Sequence, residues 1–215
     1  MTTATVTPPP VQPTNTGVVP SAGQPPLLSP TPYRWTIEAY RKLSETGLFS
    51  DMKTMLLNGE IFTMTMPAPP HDVSLGLIDD WLRTVFGTGY HIRNQMGFDV
   101  GTQSDPGPDV AVVVGSRRDY LASPPTTAVL VVEVADTSMF VDTTTKAEMY
   151  ATAGVTDYWV LDLNGRQLLV YRDPVSLPAG LGATAYRTQL TLSPTDRVSP
   201  LAAPTASILV SELLP

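Results

Sequence analysis

The sequence predicts an α/β fold, a mixed β-sheet flanked by helices, with an amino-terminal hairpin and carboxy-terminal edge strands. Three observations carry this reading. Segments with strand and helix periodicity alternate along the chain, the order that lays helices against a mixed sheet. The runs Val110-Ala111-Val112-Val113-Val114 and Ala128-Val129-Leu130-Val131-Val132-Glu133-Val134 are apolar on both faces apart from one charge, the pattern of central strands covered on both sides. Asn58-Gly59 lies between two apolar runs, the strongest short-range hairpin signal.

Residues Met1 to Pro32 stand apart: rich in Pro, Thr and Gly, they lack Asp, Glu, Lys and Arg. Such a segment buries too little apolar surface to offset its ordering entropy, so a disordered tail is expected. The folded domain is expected from Tyr33 to Pro215. Thr36 reads as the N-cap of a helix that continues through Glu38, Tyr40 and Leu43 to Gly47. Met55 to Leu57 and Ile61 to Met64 are the hairpin strands, and Pro67 to Pro70 is a loop. A second helix is expected from about Asp72 to Phe86, with Val73, Leu77, Ile78, Leu82 and Val85 on one face and Gly87 and Gly89 stopping it.

Short strands follow at Tyr90 to Arg93 and Phe98 to Val100, then the turn-rich Gly101 to Gly107 and the strand that starts at Asp109. The loop Gly115 to Thr127 precedes the Glu133 strand. A third helix runs from about Val141 to Ala153 and ends at Gly154, a natural C′ residue. Tyr158 to Leu161 and Leu168 to Tyr171 form another hairpin across Asn164-Gly165. Edge strands are expected from Tyr186 onward, the last near Ile208-Leu209-Val210.

A length of 215 residues suits one domain with a substantial core. Cysteine is absent, which excludes disulfides and thiolate metal sites. The two histidines, His71 and His91, are too few and too poorly spaced for a zinc site. What composition leaves open is a hard cation bound by carboxylates, magnesium being the ordinary choice. No stretch approaches the roughly 18 to 20 apolar residues that span a bilayer. The amino terminus lacks a basic start and an apolar core, so a cytoplasmic protein without a membrane partner is expected. A net charge of -7 argues against a globally basic nucleic-acid coat. A local basic strip is still compatible with it. Arg117 and Arg118, which follow the Asp109 strand, are the candidates to reach a phosphate, with ordinary solvated surface as the competing reading.

Glu133 sits where a charge is costly. A carboxylate inside a doubly covered strand loses hydration, and a metal or another cation must offset that loss. Asp109 starts another buried strand upstream, and Lys146 lies on the helix downstream. Two carboxylates and one lysine on adjacent elements suggest a site for divalent-metal phosphodiester chemistry. The competing reading is a strand-end glutamate paired with a nearby cation, since structural ion pairs also perturb carboxylates. Asp142 and Lys146 are spaced i, i+4, which is also the spacing of a surface helix ion pair. Tyr150, another four residues on, shares that face.

From Pro108 to Asp162 the chain resembles the Uma-type putative restriction endonucleases, a branch of the PD-(D/E)XK nuclease superfamily. The matching text is PDVAVV, then LVVEVADTS, then DTTTKAEMYATAGVTDYWVLD. LLNGEIFTM and PAPPH resemble the family's amino-terminal hairpin and helix entry, and ILVSELLP its closing segment. The resemblance covers Tyr33 to Pro215 in one order.

It implies a restriction-endonuclease-like fold and metal-dependent cleavage of DNA. It assigns Asp109 and Glu133 as the metal-binding acids, with magnesium, or manganese, as the ion. The usual motif places a lysine two residues after the second acid, where this chain has Ala135; the family instead carries it on the following helix, and Lys146 matches. Tyr150 is then expected to pack or hydrogen-bond beside Lys146. His71 matches a family position and is a candidate for phosphate binding, with a helix-starting role as the alternative. Cleaving both strands of a duplex takes two active sites, which makes a symmetric homodimer an expectation.

One departure weighs against activity. The family pattern E-L-I-D-G-E reads Met55-Leu56-Leu57-Asn58-Gly59-Glu60 here, and methionine is no oxygen ligand for magnesium. The alternative function is therefore a catalytically impaired nuclease-fold module that binds DNA or a protein partner.

Overall fold

The computed structural model describes residues 30–64, 66–177 and 184–215, so the expected disordered tail, apart from Pro30–Pro32, lies outside the described residues. Thr36 caps α1 (Ile37–Glu45), its Oγ1 accepting the Ala39 N–H at 3.2 Å. Ile37 and Tyr40 bury against Leu56, so α1 backs a hairpin of β1 (Lys53–Leu57) and β2 (Glu60–Met64). Asn58 (φ 48°) and Gly59 (φ 76°) are both left-handed, as a two-residue type I′ turn demands. A Cβ on Gly59 would also stand 2.9 Å from Arg34 Cβ. Alternation gives the hairpin two faces. Leu56 and its partner Ile61 face α1, while Met55 with Phe62 and Lys53 with Met64 line the opposite side.

Helix α2 (Pro69–Val85) begins three residues before the expected Asp72. Its first turn holds Pro69 and Pro70, whose missing N–H groups would have had no helical partner anyway. The inward face matches the expected one in part: Ile78 and Leu82 are buried and Val85 packs against the core, but Val73 and Leu77 are exposed and His71 and Ser74 are buried in their stead. The inward i, i+3, i+4 series starts at His71, inside the stretch whose prolines read as loop.

Strands β3 (Tyr90–Asn94), β4 (Val110–Val114), β5 (Leu130–Ala135), β6 (Asp157–Asp162), β7 (Gln167–Ser176) and β8 (Thr184–Leu192) lie in that order in one six-stranded sheet. Only β5 and β6 pair in parallel. A parallel pair needs a crossover, and it is made by α3 (Met139–Val141), a π turn (Asp142–Lys146) and α4 (Ala147–Thr152). Gly154, with φ 73°, follows α4 as expected. Phe98 to Val100, expected as a strand, makes only an isolated bridge from Val100 to Ser104. At the carboxyl end β9 (Arg197–Val198) and β10 (Ile208–Leu209) pair with each other.

In the β6–β7 turn the positive φ falls on Arg166 (49°), not on the Asn164-Gly165 pair. Gly165 is needed for a different reason: a Cβ there would meet Asp162 Oδ2 at 2.2 Å. Asp162 is structural, accepting the Gly165 N–H at 2.8 Å and the Gln167 amide at 2.9 Å.

Alternation along β4 and β5 divides the core in two. Val110, Val112, Val132 and Val134 pack with Ile78 and Leu82 of α2. Ala111, Val113, Val131 and Ala135 pack on the opposite face with Ala147 and Tyr150. Glu133 lies between Val132 and Val134, so its side chain points to the second face, toward the π turn and α4. No helix among the described residues is long and apolar enough to cross a membrane.

Candidate active site

Strands β4 and β5 are antiparallel with Val110 opposite Val132. Continuing that register by one residue sets Asp109 opposite Glu133, where Cβ atoms are typically about 4.5–5.5 Å apart. The backbone interlocks the two acids. The Val134 N–H donates to Asp109 Oδ2 at 2.9 Å, and the Asp109 N–H approaches Glu133 Oε2 at 3.4 Å.

The π turn brings the cation. Lys146 Nζ lies 3.0 Å from Glu133 Oε2 and 3.0 Å from Asp142 Oδ1. The Asp142–Lys146 pair keeps its i, i+4 spacing but is buried, not a surface pair. Single π turns inside helices recur at functional sites. Here the Asp142 carbonyl receives the Tyr158 hydroxyl at 2.8 Å, and the Ser138 hydroxyl donates to Asp142 Oδ2. Tyr150, one turn beyond Lys146, donates its hydroxyl to Glu133 Oε1 at 2.6 Å. Both Glu133 oxygens are thus engaged from the helical side.

Asp109 is held from the other direction. His71 Nε2, at the start of α2, faces Asp109 Oδ2 at 3.3 Å. The Gln95 amide donates to Asp109 Oδ1 at 3.1 Å, and Lys53 Nζ donates to Gln95 Oε1 at 2.8 Å. Sequence reasoning missed Gln95, Lys53 and the inward role of Asp142. Gln95 has a left-handed φ of 51° just after β3, and only the pairing of β3 with β4 brings it beside Asp109. No local spacing signals that approach.

The electrostatics are unbalanced. Asp109, Glu133 and Asp142 are three buried acids around one buried lysine. Burial pushes the Glu133 carboxyl up to about 8, against the pull of Lys146, and the charges of Asp142 and Asp109 push the same way. For Asp109 burial also works upward, but the His71 and Val134 hydrogen bonds and the Lys146 charge outweigh it and hold the carboxyl below its ordinary range. Burial works downward on Lys146, yet Glu133, Asp142 and Asp109 raise its ammonium above the usual lysine value. The hydrogen bond to Asp109 raises His71, with burial opposing.

These groups open onto a cleft of about 490 Å³. Asp109, Glu133 and Lys146 form its floor, and the hairpin supplies a wall from Met55, Phe62 and Met64. Met55 thus lines the cleft. Glu60, at the turn end of β2, pairs with Arg34 outside the cleft lining. Arg117 and Arg118 lie in the 3-10 turn beyond the far end of β4, outside the cleft lining. Asp136 anchors the β6–β7 turn, its carbonyl accepting the Asn164 amide at 2.6 Å.

Whether the residues suit a divalent metal follows from the donors. Among the described residues no group of three His, Cys, Asp or Glu side chains forms a ready ligand set. The Ala135 carbonyl is also committed, accepting the Leu163 N–H at 3.0 Å. What fits is a partial site: two carboxylates on the cleft floor, of which Glu133 holds its proton to about 8 because burial penalises its charged form, a penalty that a hard cation would relieve. Ligands beyond those two would have to be water or substrate oxygens, as is usual for magnesium.

The family described as Uma2, putative restriction endonuclease, matches residues 37–211. The fold is similar to the crystal structure of a putative nuclease belonging to DUF820 from Anabaena variabilis. The TM-score is 0.65 at 16% identity, covering 83% of this chain and 97% of that one. A search of curated proteins gives no match.

Proposed function

The chain belongs to the Uma2 family of putative restriction endonucleases, and from that premise we propose that it is a cytoplasmic, metal-dependent endonuclease that hydrolyses DNA phosphodiester bonds. The observation that carries the proposal is the buried set of Asp109, Glu133 and Lys146 at the floor of an open cleft. Asp109 and Glu133 would hold magnesium or manganese, which would supply an acidified water and neutralise phosphate oxygens. The chain's own groups do the positioning. Lys146 keeps its charge between Glu133 and Asp142 and orients the attacking water. Tyr150 fixes the Glu133 carboxylate, and His71 and Gln95 fix Asp109, as groups around metal ligands do elsewhere. Arg117 and Arg118 have no part in this reading, because they sit beyond the other end of β4. Cutting both strands of a duplex usually takes two active sites, which a symmetric homodimer would supply.

A second reading rests on Met55. Its thioether replaces an acid at a cleft-lining position and cannot serve as a hard oxygen ligand. A module that binds DNA or a protein without cleaving would follow from that loss. The test incubates the protein with plasmid and oligonucleotide DNA, with magnesium or manganese and with chelator, beside Glu133→Ala and Lys146→Ala. Metal-dependent cleavage that both substitutions abolish supports the endonuclease. DNA binding without cleavage, indifferent to both substitutions, supports the second reading, and gain of cleavage in Met55→Glu would locate the loss at that residue.

A further inference from the structure

We propose that the cleft face of the β1–β2 hairpin is a stacking surface for unpaired bases, so that the substrate is a single-stranded or locally opened stretch of DNA; this rests on the endonuclease reading. Lys53, Met55, Phe62 and Met64 form this face as two cross-strand pairs, Met55 with Phe62 and Lys53 with Met64. Their neighbours Leu56 and Ile61 bury the reverse side against α1. On the cleft side Met55 packs partly against the core, but the outer strand is open: Phe62 is 39% exposed, and Met66, just past β2 and also in the lining, is 90% exposed. An apolar wall opposite a floor whose acids would hold a cation suits a ligand with flat apolar faces joined by phosphates.

Charge selects the unpaired form. Duplex DNA carries a negative charge every ~1.7 Å of axis, and proteins that grip it neutralise several phosphates with Lys or Arg. Among the described residues that line the cleft, only Lys53 and Lys146 carry a permanent positive charge, and Lys146 is buried between two acids. The arginines around the hairpin are committed elsewhere, Arg34 to Glu60 and Arg41 to Asp99 and Asp105. Lys53 is exposed and can meet one phosphate. A single free cation beside an aromatic and thioether platform leaves base stacking as the main source of affinity, which only unpaired bases can supply. It does not match a duplex grip.

The test measures anisotropy of a fluorescein-labelled 12-nucleotide strand and of the corresponding duplex with the full chain, calcium replacing magnesium. Parent protein, Phe62→Ala, Phe62→Leu and Phe62→Trp are compared. The expected result is at least tenfold tighter binding of the single strand, weakened about tenfold in Phe62→Ala and Phe62→Leu and retained in Phe62→Trp, the loss expected when a base loses its aromatic platform. Leucine keeps the apolar bulk, so it separates stacking from packing, and the exposure of Phe62 leaves the fold intact. Equal or tighter duplex binding, or no change in Phe62→Ala, overturns the inference. Metal-dependent cutting of duplex plasmid without strand preference would overturn it while sparing the endonuclease. Phe62-dependent binding of the single strand without cleavage in magnesium would spare the surface and overturn the endonuclease.

Discussion

Lys146 and Glu133 meet at 3.0 Å across the junction of β5 and the π turn, with 4% and 2% of their surfaces exposed. Among the described residues Lys146 is the one lysine or arginine paired with Glu133 and Asp142, so its removal leaves those two buried acids without their cation. Breaking a buried ion pair from one side costs about 3–5 kcal/mol. Lys146→Met is therefore expected to lose stability of that order in denaturant titrations at pH 8. Magnesium should restore part of the loss by binding the folded state alone. A Lys146→Met protein as stable as the parent, with no response to magnesium, would mean the acids are not charged together.

Stability should also fall as pH rises. The Glu133 carboxyl moves from 4.5 to about 8 in the fold because of burial. Between those values the folded chain holds a proton that the unfolded chain has released. The contribution is full below about 4.5 and is lost as pH rises through about 8. His71, raised by its hydrogen bond to Asp109, acts in the same direction above its ordinary 6.5. Melting temperature is expected to decline from pH 5 to pH 8, and Glu133→Gln to flatten the slope. Magnesium competes with the Glu133 proton, so its affinity should rise over the same interval. A melting temperature that climbs toward pH 8 in metal-free buffer would contradict the assignment.

The two histidines offer a separate reading of the same field. The hydrogen bond to Asp109 raises His71, whereas burial, reinforced by Arg117, Arg93 and Arg83, lowers His91. An NMR titration of the imidazole nitrogens should give two midpoints on opposite sides of 6.5, the upper one vanishing in His71→Gln. Saturating magnesium should lower the upper midpoint, because a cation on Asp109 repels the imidazolium. Midpoints in the reverse order would break the His71–Asp109 link.

In the β6–β7 turn, Gly165→Ala would place a Cβ 2.2 Å from Asp162 Oδ2. The turn must move, and Asp162 loses the bonds from Gly165 and Gln167. A cost of about 1–3 kcal/mol is expected, read as a lower midpoint in urea. An unchanged midpoint would show that the turn relaxes freely.

How much of this was readable in the sequence depended on the range of the signal. The apolar runs around Asp109 and Glu133 identify central strands, because full burial on both faces leaves a continuous apolar text. Spacing of i, i+4 puts Lys146 and Tyr150 on one face, but that the face looks toward Glu133 comes from the crossover packing. Asn58-Gly59 is legible because the type I′ turn is local. The start of α2 was not, since Pro69 and Pro70 look alike in a loop and in a first helical turn. Gln95 and Lys53 reach Asp109 only through strand pairing and hairpin packing, which leave no mark at short range. Arg117 and Arg118 show the opposite error: adjacency in sequence hid a five-residue strand, about 16 Å at ~3.3 Å per residue, between them and Asp109.

The central claim, that Asp109, Glu133 and Lys146 form a metal-dependent phosphodiester-cleaving centre, is tested most directly by the magnesium dependence of the cleavage rate of a defined DNA oligonucleotide. The parent protein should cleave with magnesium and stop with chelator. Lys146→Met should still bind magnesium, detected by calorimetry, yet cleave at least about a hundredfold more slowly, the scale typical of losing a positioned proton-transfer or electrostatic group. Cleavage that persists in chelator, or that Lys146→Met and Glu133→Gln leave at the parent rate, would contradict the assignment of this cleft as the active site.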